Sequence, residues 1–396
     1  MRKISRFERE ALLSWRAEMA LYTQGELTEA ARGHLRTLLE RGMEAEIDRK
    51  LGAPRYVRTA RRSDWRNGYR QRDLTTAFGL LRGLRVPRSR KGDYETEVFA
   101  RYQRRQPLVN ALIMEMFIAG VATRRVGEVL EALLGDAPSA TTVSRIAQAL
   151  DERVKAFHSR ALQDAWRFLV LDGVTMKVKG ACGVRKRLVL VAYGMDGKGK
   201  RELLAFRLAD SEAEKEWAIL LEDMRRRGLC GDNLELVITD GAKGLTAALS
   251  WVYPYTKQQR CWAHKLRNVA NKVRRIDQKQ AVQGAQAVYL ADNRKKALLA
   301  FRQWKKRWQL SYPKAVACLE NDLDALLRCF AYPQELRSKI RTTNAIERSF
   351  RELRRRTRPM SVFSNDQSCE RIVYALIQHL NTQWRKKPFI NSTHFS

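Results

Sequence analysis

Two apolar runs each end in an aspartate followed by a glycine: Val170-Leu171-Asp172-Gly173 and Ile238-Thr239-Asp240-Gly241. Asp-Gly is also a common turn pair, and a turn is the ordinary explanation of either one alone. Two pairs that both close buried strands ask for more. If those strands are neighbours in one sheet, the carboxylates leave it side by side, and acids held that close favour a cation between them. A third acid stands far downstream, in Arg341-Thr-Thr-Asn-Ala-Ile-Glu347-Arg-Ser-Phe-Arg-Glu-Leu-Arg-Arg-Arg. Helical spacing turns Ile346, Phe350 and Leu353 to a core, and Glu347 shares the adjacent face with Arg351, Arg354 and Arg358. Carboxylates for metal beside arginines for phosphate make a coherent site. Mg²⁺ takes few protein ligands, mostly carboxylates, and leaves positions for a substrate phosphate. Two such ions about 3.5–4 Å apart activate an attacking hydroxyl and neutralise a leaving oxyanion in phosphodiester chemistry. Asp172, Asp240 and Glu347 are therefore the expected catalytic residues and metal ligands, for two Mg²⁺ or Mn²⁺ ions, with the glycines leaving room for a phosphate. The bland alternative for Glu347 is specific: Asn344 and Glu347 match a capping box, and Glu347 with Arg351 an i,i+4 pair.

Cys261-Trp-Ala-His264 has the spacing of half a zinc site. A structural site needs four ligands, no second pair follows, and Cys318 and Cys329 are the completions on offer. The other reading puts the pair at the edge of the site, with His264 contacting DNA or orienting a reacting group. Trp262, Trp304 and Trp308 either stack on a base or pack a helical layer.

These residues need elements to hold them. Phe168–Leu171 reads as a buried strand ending at Asp172, Leu188–Tyr193 as a second, and Asp196-Gly197 as the turn into a third at about 201–208. Ser211 and Glu214 form a capping-box pair for a helix with Trp217, Leu220, Leu221 and Met224 inward. Leu234–Ile238 is a fourth strand. Three antiparallel strands, a helix and a strand beside the first open a ribonuclease-H-like sheet. Residues 261 to about 335 read as a helical insertion, and helices from Asn344 and Asp366 close the chain, the latter with Cys369, Ile372, Val373, Leu376 and Leu380 on one face.

Upstream, Leu35, Leu38, Leu39 and Met43 recur at helical spacing until Gly52-Ala-Pro54. Residues 61–105 are arginine-rich and punctuated by Gly and Pro, as in a small basic hairpin. Val126, Val129, Leu130, Leu133 and Leu134 form one stripe, Gly135-Asp-Ala-Pro138 a turn, and Ser139 a cap for a helix with Val143, Ile146, Ala147 and Leu150 inward. Thr141, Thr142, Ser144 and Arg145 would then face a DNA major groove from a helix-turn-helix. An αα-hairpin packing on its neighbours has the same pattern. The expected domains are 1–60 (helical, DNA binding or dimerisation), 61–105 (small, basic, β-containing) and 106–160 (helix-turn-helix-like). The catalytic core follows in 161–260, a helical insertion in 261–338, and the closing helices in 339–396.

The charge balance fits this organisation. With 76 Lys+Arg against 43 Asp+Glu, the net charge is +33, and the simplest reason to keep such a field is a polyanionic partner. The basic residues are spread along the whole chain, which favours nucleic acid over a membrane surface. Hydrophobic content of 44% excludes wholesale disorder. The six cysteines form no C-x-x-C pair and read as free thiols. The N-terminus has no apolar stretch of a signal peptide and the apolar window 108–122 is too short to span a bilayer, so an intracellular protein with no membrane partner is expected.

Taken together, the "LVLDG" and "VITDG" strands, the "CWAHKLRN" segment and the "RTTNAIERSFRELRRRT" helix resemble the mutator-type transposases of bacterial insertion sequences. The resemblance covers nearly the whole chain, including "DWRNGYRQR" and "LLGDAPSATTVSRI". It implies an Asp-Asp-Glu recombinase: an α/β ribonuclease-H-like core with a mixed five-stranded sheet and an all-α insertion, preceded by mainly helical DNA-binding domains. Asp172 and Asp240 fall on the family's aspartates, Glu347 on its glutamate, and Cys261 and His264 on its C-x-x-H pair. The implied protein binds terminal inverted repeats in double-stranded DNA, cleaves and transfers strands with Mg²⁺ or Mn²⁺, and works as a homodimer in the bacterial cytoplasm, near the nucleoid. The alternatives are a catalytically silent, transposase-derived DNA-binding regulator, and a nuclease that cuts without joining.

Overall fold

The computed structural model describes residues 24–358 and 361–386. Residues 1–23 of the expected N-terminal helical domain and 387–396 of the expected closing segment lie outside them. The chain divides into two compact units, 1–148 and 149–396.

The first unit begins with α1 (Gln24–Leu51), followed by a hairpin of β1 (Arg66–Thr76) and β2 (Gly79–Ser89). Each strand has 11 residues; in β2 the exposed Arg82, Arg85 and Arg88 fall between buried Leu81, Leu84, Val86 and Ser89, whereas β1 is buried only over its last three residues, Leu74 to Thr76. Met43 of α1 joins Leu74, Leu84, Val86 and Phe99 in one core cluster. A second cluster unites α2 (Pro107–Ile118), α3 (Thr123–Leu134) and α4 (Ala140–Ala147) through Val109, Ile113, Val126, Leu130 and Val143. Gly135 at φ 68 stops α3, and the Ser139 hydroxyl accepts a hydrogen bond from Thr142 N to start α4. Leu133 corrects the expected stripe: it is 68% exposed, since the inward line is Val126, Leu130 and Leu134. Thr141 and Arg145 are exposed, Thr142 and Ser144 half-buried.

The second unit is built on a mixed five-stranded sheet in the order β5-β4-β3-β6-β7. β3 (Phe168–Gly180), β4 (Gly183–Met195) and β5 (Arg201–Ala209) are antiparallel, whereas β6 (Leu236–Thr239) and β7 (Lys257–Arg260) run parallel to β3. β3 does not end at Asp172. It continues to Gly180, paired with β4 throughout, with Val174, Met176 and Val178 buried between exposed Thr175, Lys177 and Lys179. After α5 (Asp151–Ser159) and the hairpin strands come α6 (Glu214–Arg226) and α7 (Lys243–Val252). They cover the Leu169 and Leu171 face with Trp217, Leu220, Leu221, Met224 and Leu249. The N-cap of α6 is Ala213 rather than Ser211, whose hydroxyl instead accepts from Ala213 N.

From β7 the chain enters a helical layer: α8 (Trp262–Ala270), α9 (Gln278–Leu290), α10 (Arg294–Trp308), α11 (Pro313–Glu320), α12 (Leu323–Leu327) and α13 (Gln334–Ile340). Trp262, Phe301, Trp304 and Trp308 are all buried in its core, so the tryptophans pack the layer. Gln259 of β7 is fully buried and ties the layer to the sheet edge, donating to Leu326 O and accepting from Cys329 N. α14 (Asn344–Thr357) and α15 (Asp366–Lys386) return to the sheet on the face opposite α6 and α7, where Trp384 meets Tyr193 and the Asn381 amide pairs with the backbone of Leu203. No helix among the described residues is long and apolar enough to cross a membrane.

Candidate active site

Strand alternation decides where Asp172 points. Leu169 and Leu171 lie in the core under α6 and α7, so Phe168, Val170 and Asp172 turn to the side of α14 and α15. β6 lies beside β3 with Phe168 opposite Leu236 and Val170 opposite Ile238. The ladder stops there and β6 ends at Thr239, so Asp240 leaves the strand end on the Asp172 side, near enough for its charge to raise the Asp172 carboxyl but outside the group of acids that share ligand distance. Asp240 is held by its own turn, its Oδ1 accepting from Ala242 N.

Glu347 reaches the same place from α14. Ile346, Phe350 and Leu353 are buried, which fixes the helix rotation, while Arg351, Arg354 and Arg358 remain exposed. The N-cap is Thr343 and Asn344 is already helical, so no capping box forms. Among the described residues the salt-bridge partner of Glu347 is His264 (Oε1 to Nε2, 3.6 Å), not Arg351. Ligand atoms of Asp172, His264 and Glu347 lie within 4.8 Å of one another.

The C-x-x-H pair is a clamp between two helix starts. Cys261 caps α8 and Thr343 caps α14; Thr343 N donates to Cys261 Sγ (3.3 Å), and Thr343 Oγ1 lies 3.4 Å from both Cys261 Sγ and His264 Nδ1. Trp262 N donates to Arg341 O (3.0 Å), fastening the same two turns. With Nδ1 engaged, His264 presents Nε2 to the acids. Among the described residues no third ligand gathers on Cys261; Cys318 lies near Lys265, and Cys329 against Leu326 O.

The electrostatics follow from this crowding. Burial pushes the Asp172 carboxyl up to about 6, the charges of Asp240 and Glu347 add to it, and His264 and the Gly173 N–H oppose it. His264 is raised to about 9, first by its hydrogen bond with Cys261 and then by the charges of Cys261, Asp172 and Glu347. Burial resists ionisation of the Cys261 thiol, but hydrogen bonds from His264 and Thr343 bring it below the usual thiol range. A raised folded-state histidine pKa gives stability that is fully present below pH 6.5 and lost as pH rises to about 9. Without divalent ions, the stability difference between the native protein and His264→Gln should therefore shrink by about 2 kcal/mol between pH 6.5 and 9. Denaturant titrations at the two pH values measure it, and a constant difference would contradict the ion pairing.

Two neighbours escaped the sequence reading. Glu212, in the loop before α6, lies against Gly173: a Cβ there would come 3.3 Å from its Oε1. Burial and the Asp240 charge raise its carboxyl. Gly241, at φ 82, is covered by Arg260, whose Nη1 would sit 1.0 Å from an added Cβ. The room expected beside both glycines for a phosphate is thus occupied by the Glu212 and Arg260 side chains. Arg260 and Lys265 both pair with Asp322, which binds this edge to the helical layer. The donor set is mainly carboxylate oxygen, which suits hard cations such as Mg²⁺ and Mn²⁺.

A mixed sheet that brings an acid of β3 to one from a distant helix, beside the end of the parallel strand before Asp240, narrows the class, and the sequence profile of the mutator family of transposases matches residues 8–387. The chain belongs to that family. It is 36% identical over 350 residues to the transposase for insertion sequence element ISRM5 of Rhizobium meliloti, covering 88% of this chain and 87% of that protein. The transposase for insertion sequence element IS905 of Lactococcus lactis is 31% identical over 357 residues, 90% of each chain. That for IS256 in transposon Tn4001 of Staphylococcus aureus is 30% identical over 363 residues, 90% of this chain and 91% of that one.

Proposed function

We propose that this protein is a metal-dependent DNA transposase of the Asp-Asp-Glu type. It binds the terminal inverted repeats of an insertion sequence, cuts at the element end, and joins the freed 3′-hydroxyl to another strand. One observation carries the reading: Asp172 and Glu347, far apart in the chain, meet within ligand-sharing distance beside the strand end that bears Asp240. The strand order, with three antiparallel strands and two parallel ones beyond β3, supports a ribonuclease-H-like core with a helical insertion ahead of Glu347.

Two divalent ions, when held by Asp172, Asp240 and Glu347, would activate the attacking oxygen and neutralise the leaving one. The chain's own residues place the reactants. The sheet fixes the two aspartates, and α14 fixes Glu347 while presenting exposed Arg351, Arg354 and Arg358 to backbone phosphates. Thr343 and Cys261 hold His264 against the acids, where its imidazolium offsets their charge until a cation and DNA arrive. Thr141, Thr142, Ser144 and Arg145 of α4 read the repeat. Pairing two element ends calls for two copies of the chain.

The test is incubation of the protein with labelled element ends and Mg²⁺, resolving nicked from joined strands. Joined products that need both Mg²⁺ and the terminal repeat are expected. Binding with no cutting at any Mg²⁺ or Mn²⁺ concentration would make the protein a regulator, and cutting that ignores the repeat and never joins would make it a nuclease.

A further inference from the structure

We propose that a cleft of the first unit, between the β1–β2 hairpin and the segment after it, is a clamp for the DNA phosphate backbone built by Arg70, Arg72, Arg101 and Arg104. The proposal rests on the transposase reading and says where in the first unit the duplex is gripped.

The cleft measures about 570 Å³ and is lined by those four arginines with Tyr102 and Arg105, against two acids, Asp73 and Asp136. The fold assembles it from two stretches of chain. Thr75 N donates to Arg104 O and Gln106 N to Thr75 O (2.9 Å each), so the segment from Arg101 to Gln106 lies along the end of β1. Arg72 bonds Gln103 O and stacks on the Phe99 ring (4.4 Å), fixing its guanidinium at the cleft.

The acids within reach are otherwise engaged. Asp136 accepts from Nε and Nη2 of Arg105 and from the Thr75 hydroxyl, and Asp73 accepts from Gly83 N. Arg101 meets Glu95 only at the exposed rim. Among the described residues no carboxylate pairs with Arg70, Arg72 or Arg104. Burial lowers the proton affinity of Arg72, and the charges of Arg70 and Arg104 lower it further. Guanidinium groups that outnumber the acids around them weaken a fold, and a polyanion relieves them. Planar, permanently charged guanidiniums also match phosphate oxygens in pairs.

Tyr102 adds an independent sign. Its backbone sits at φ 66, a region side chains rarely adopt, and its ring is 81% exposed beneath the Arg101 guanidinium. By contrast, α4 offers small hydroxyls and a single arginine, Arg145. The division suits a helix that reads bases and a cleft that holds backbone.

The experiment measures binding of the full chain to an element-end duplex and to an unrelated duplex of equal length, over a salt series. It compares the native protein with the double variant Arg70→Gln/Arg104→Gln and with Thr141→Ala/Arg145→Ala. The arginine pair should weaken binding to both duplexes by the same factor and lower the log–log salt slope by about 2, one per lost phosphate contact. Its unfolding midpoint should be unchanged or higher, because repulsion is relieved. The α4 variant should lose mainly the preference for the element end. If the native protein binds and the arginine pair leaves affinity and slope at native values, or weakens the element end alone, the clamp is overturned. If the native protein binds neither duplex, the transposase reading falls with it.

Discussion

Asp172→Asn is expected to reduce strand joining at least about a thousandfold while leaving end binding unchanged. The substitution keeps the volume and removes the charge at the centre of the acid cluster. A metal-borne stabilisation of several kcal/mol is lost with it, and about 1.4 kcal/mol corresponds to each factor of ten. The same variant should make the metal-free protein more stable, which a structural role would not allow. Burial and then the neighbouring acids hold the Asp172 carboxyl at about 6 against an ordinary 3.8. The sign is opposite to the usual buried ion pair. Below pH 3.8 the group is protonated in both states and costs nothing; the penalty grows as pH rises to about 6 and is complete above it. At pH 7.5 an uncharged asparagine should therefore gain on the order of 1–3 kcal/mol. Gel-resolved joining assays and denaturant unfolding in chelator measure the two effects. A variant that joins strands at the native rate would remove Asp172 from the reaction. One that is dead but markedly less stable would make it a structural residue.

Trp262→Ala should be the most destabilising change near the site, by about 3–5 kcal/mol. The indole is fully buried, donates to Leu326 O (2.9 Å) and packs against Tyr289 with ring centroids 5.1 Å apart. It seats the start of α8, and α8 carries His264. Joining activity should fall along with stability, even well below the unfolding midpoint, because the clamp between Cys261 and Thr343 loses its floor. Trp262→Phe refills most of the volume and removes one donor to Leu326 O, which keeps its hydrogen bond from Gln259, for about 0.5–1.5 kcal/mol, and should keep most activity. Urea titrations with the joining assay in parallel decide the point. An alanine variant within about 1 kcal/mol of native would contradict the packing account.

Which parts of this were legible in the sequence follows from how each part is stabilised. Asp172 and Asp240 stand out because apolar runs of sequence are interrupted abruptly by a charge, and Glu347 because Ile346, Phe350 and Leu353 fix a helical face. The parallel pairing that brings the end of β6, just before Asp240, alongside β3 follows from strand order, which periodicity only suggests. β3 outruns its expected end because the Asp172-Gly173 pair has the look of a strand terminus, although beyond it Val174, Met176 and Val178 keep the period of two between Thr175, Lys177 and Lys179. β7 carries no apolar signal at all. Its inward residue is Gln259, whose burial is compensated by hydrogen bonds to Leu326 and Cys329 that no local pattern reveals. The partners of Glu212 and His264 are also contacts across the chain. His264 was placed at the edge of the site by its motif, but its approach to Glu347 depends on Thr343, which is 79 residues away.

The most direct measurement is Mn²⁺ binding by calorimetry or magnetic resonance, with an element-end duplex present, for the native protein and Glu347→Gln. Three acids that share ions beside a phosphate backbone predict two Mn²⁺ per chain in the native complex. In the variant at least one ion should be lost, and joining with it, while the duplex remains bound. Equal stoichiometry and affinity in both proteins, with Glu347→Gln still joining strands, would contradict the site at its centre.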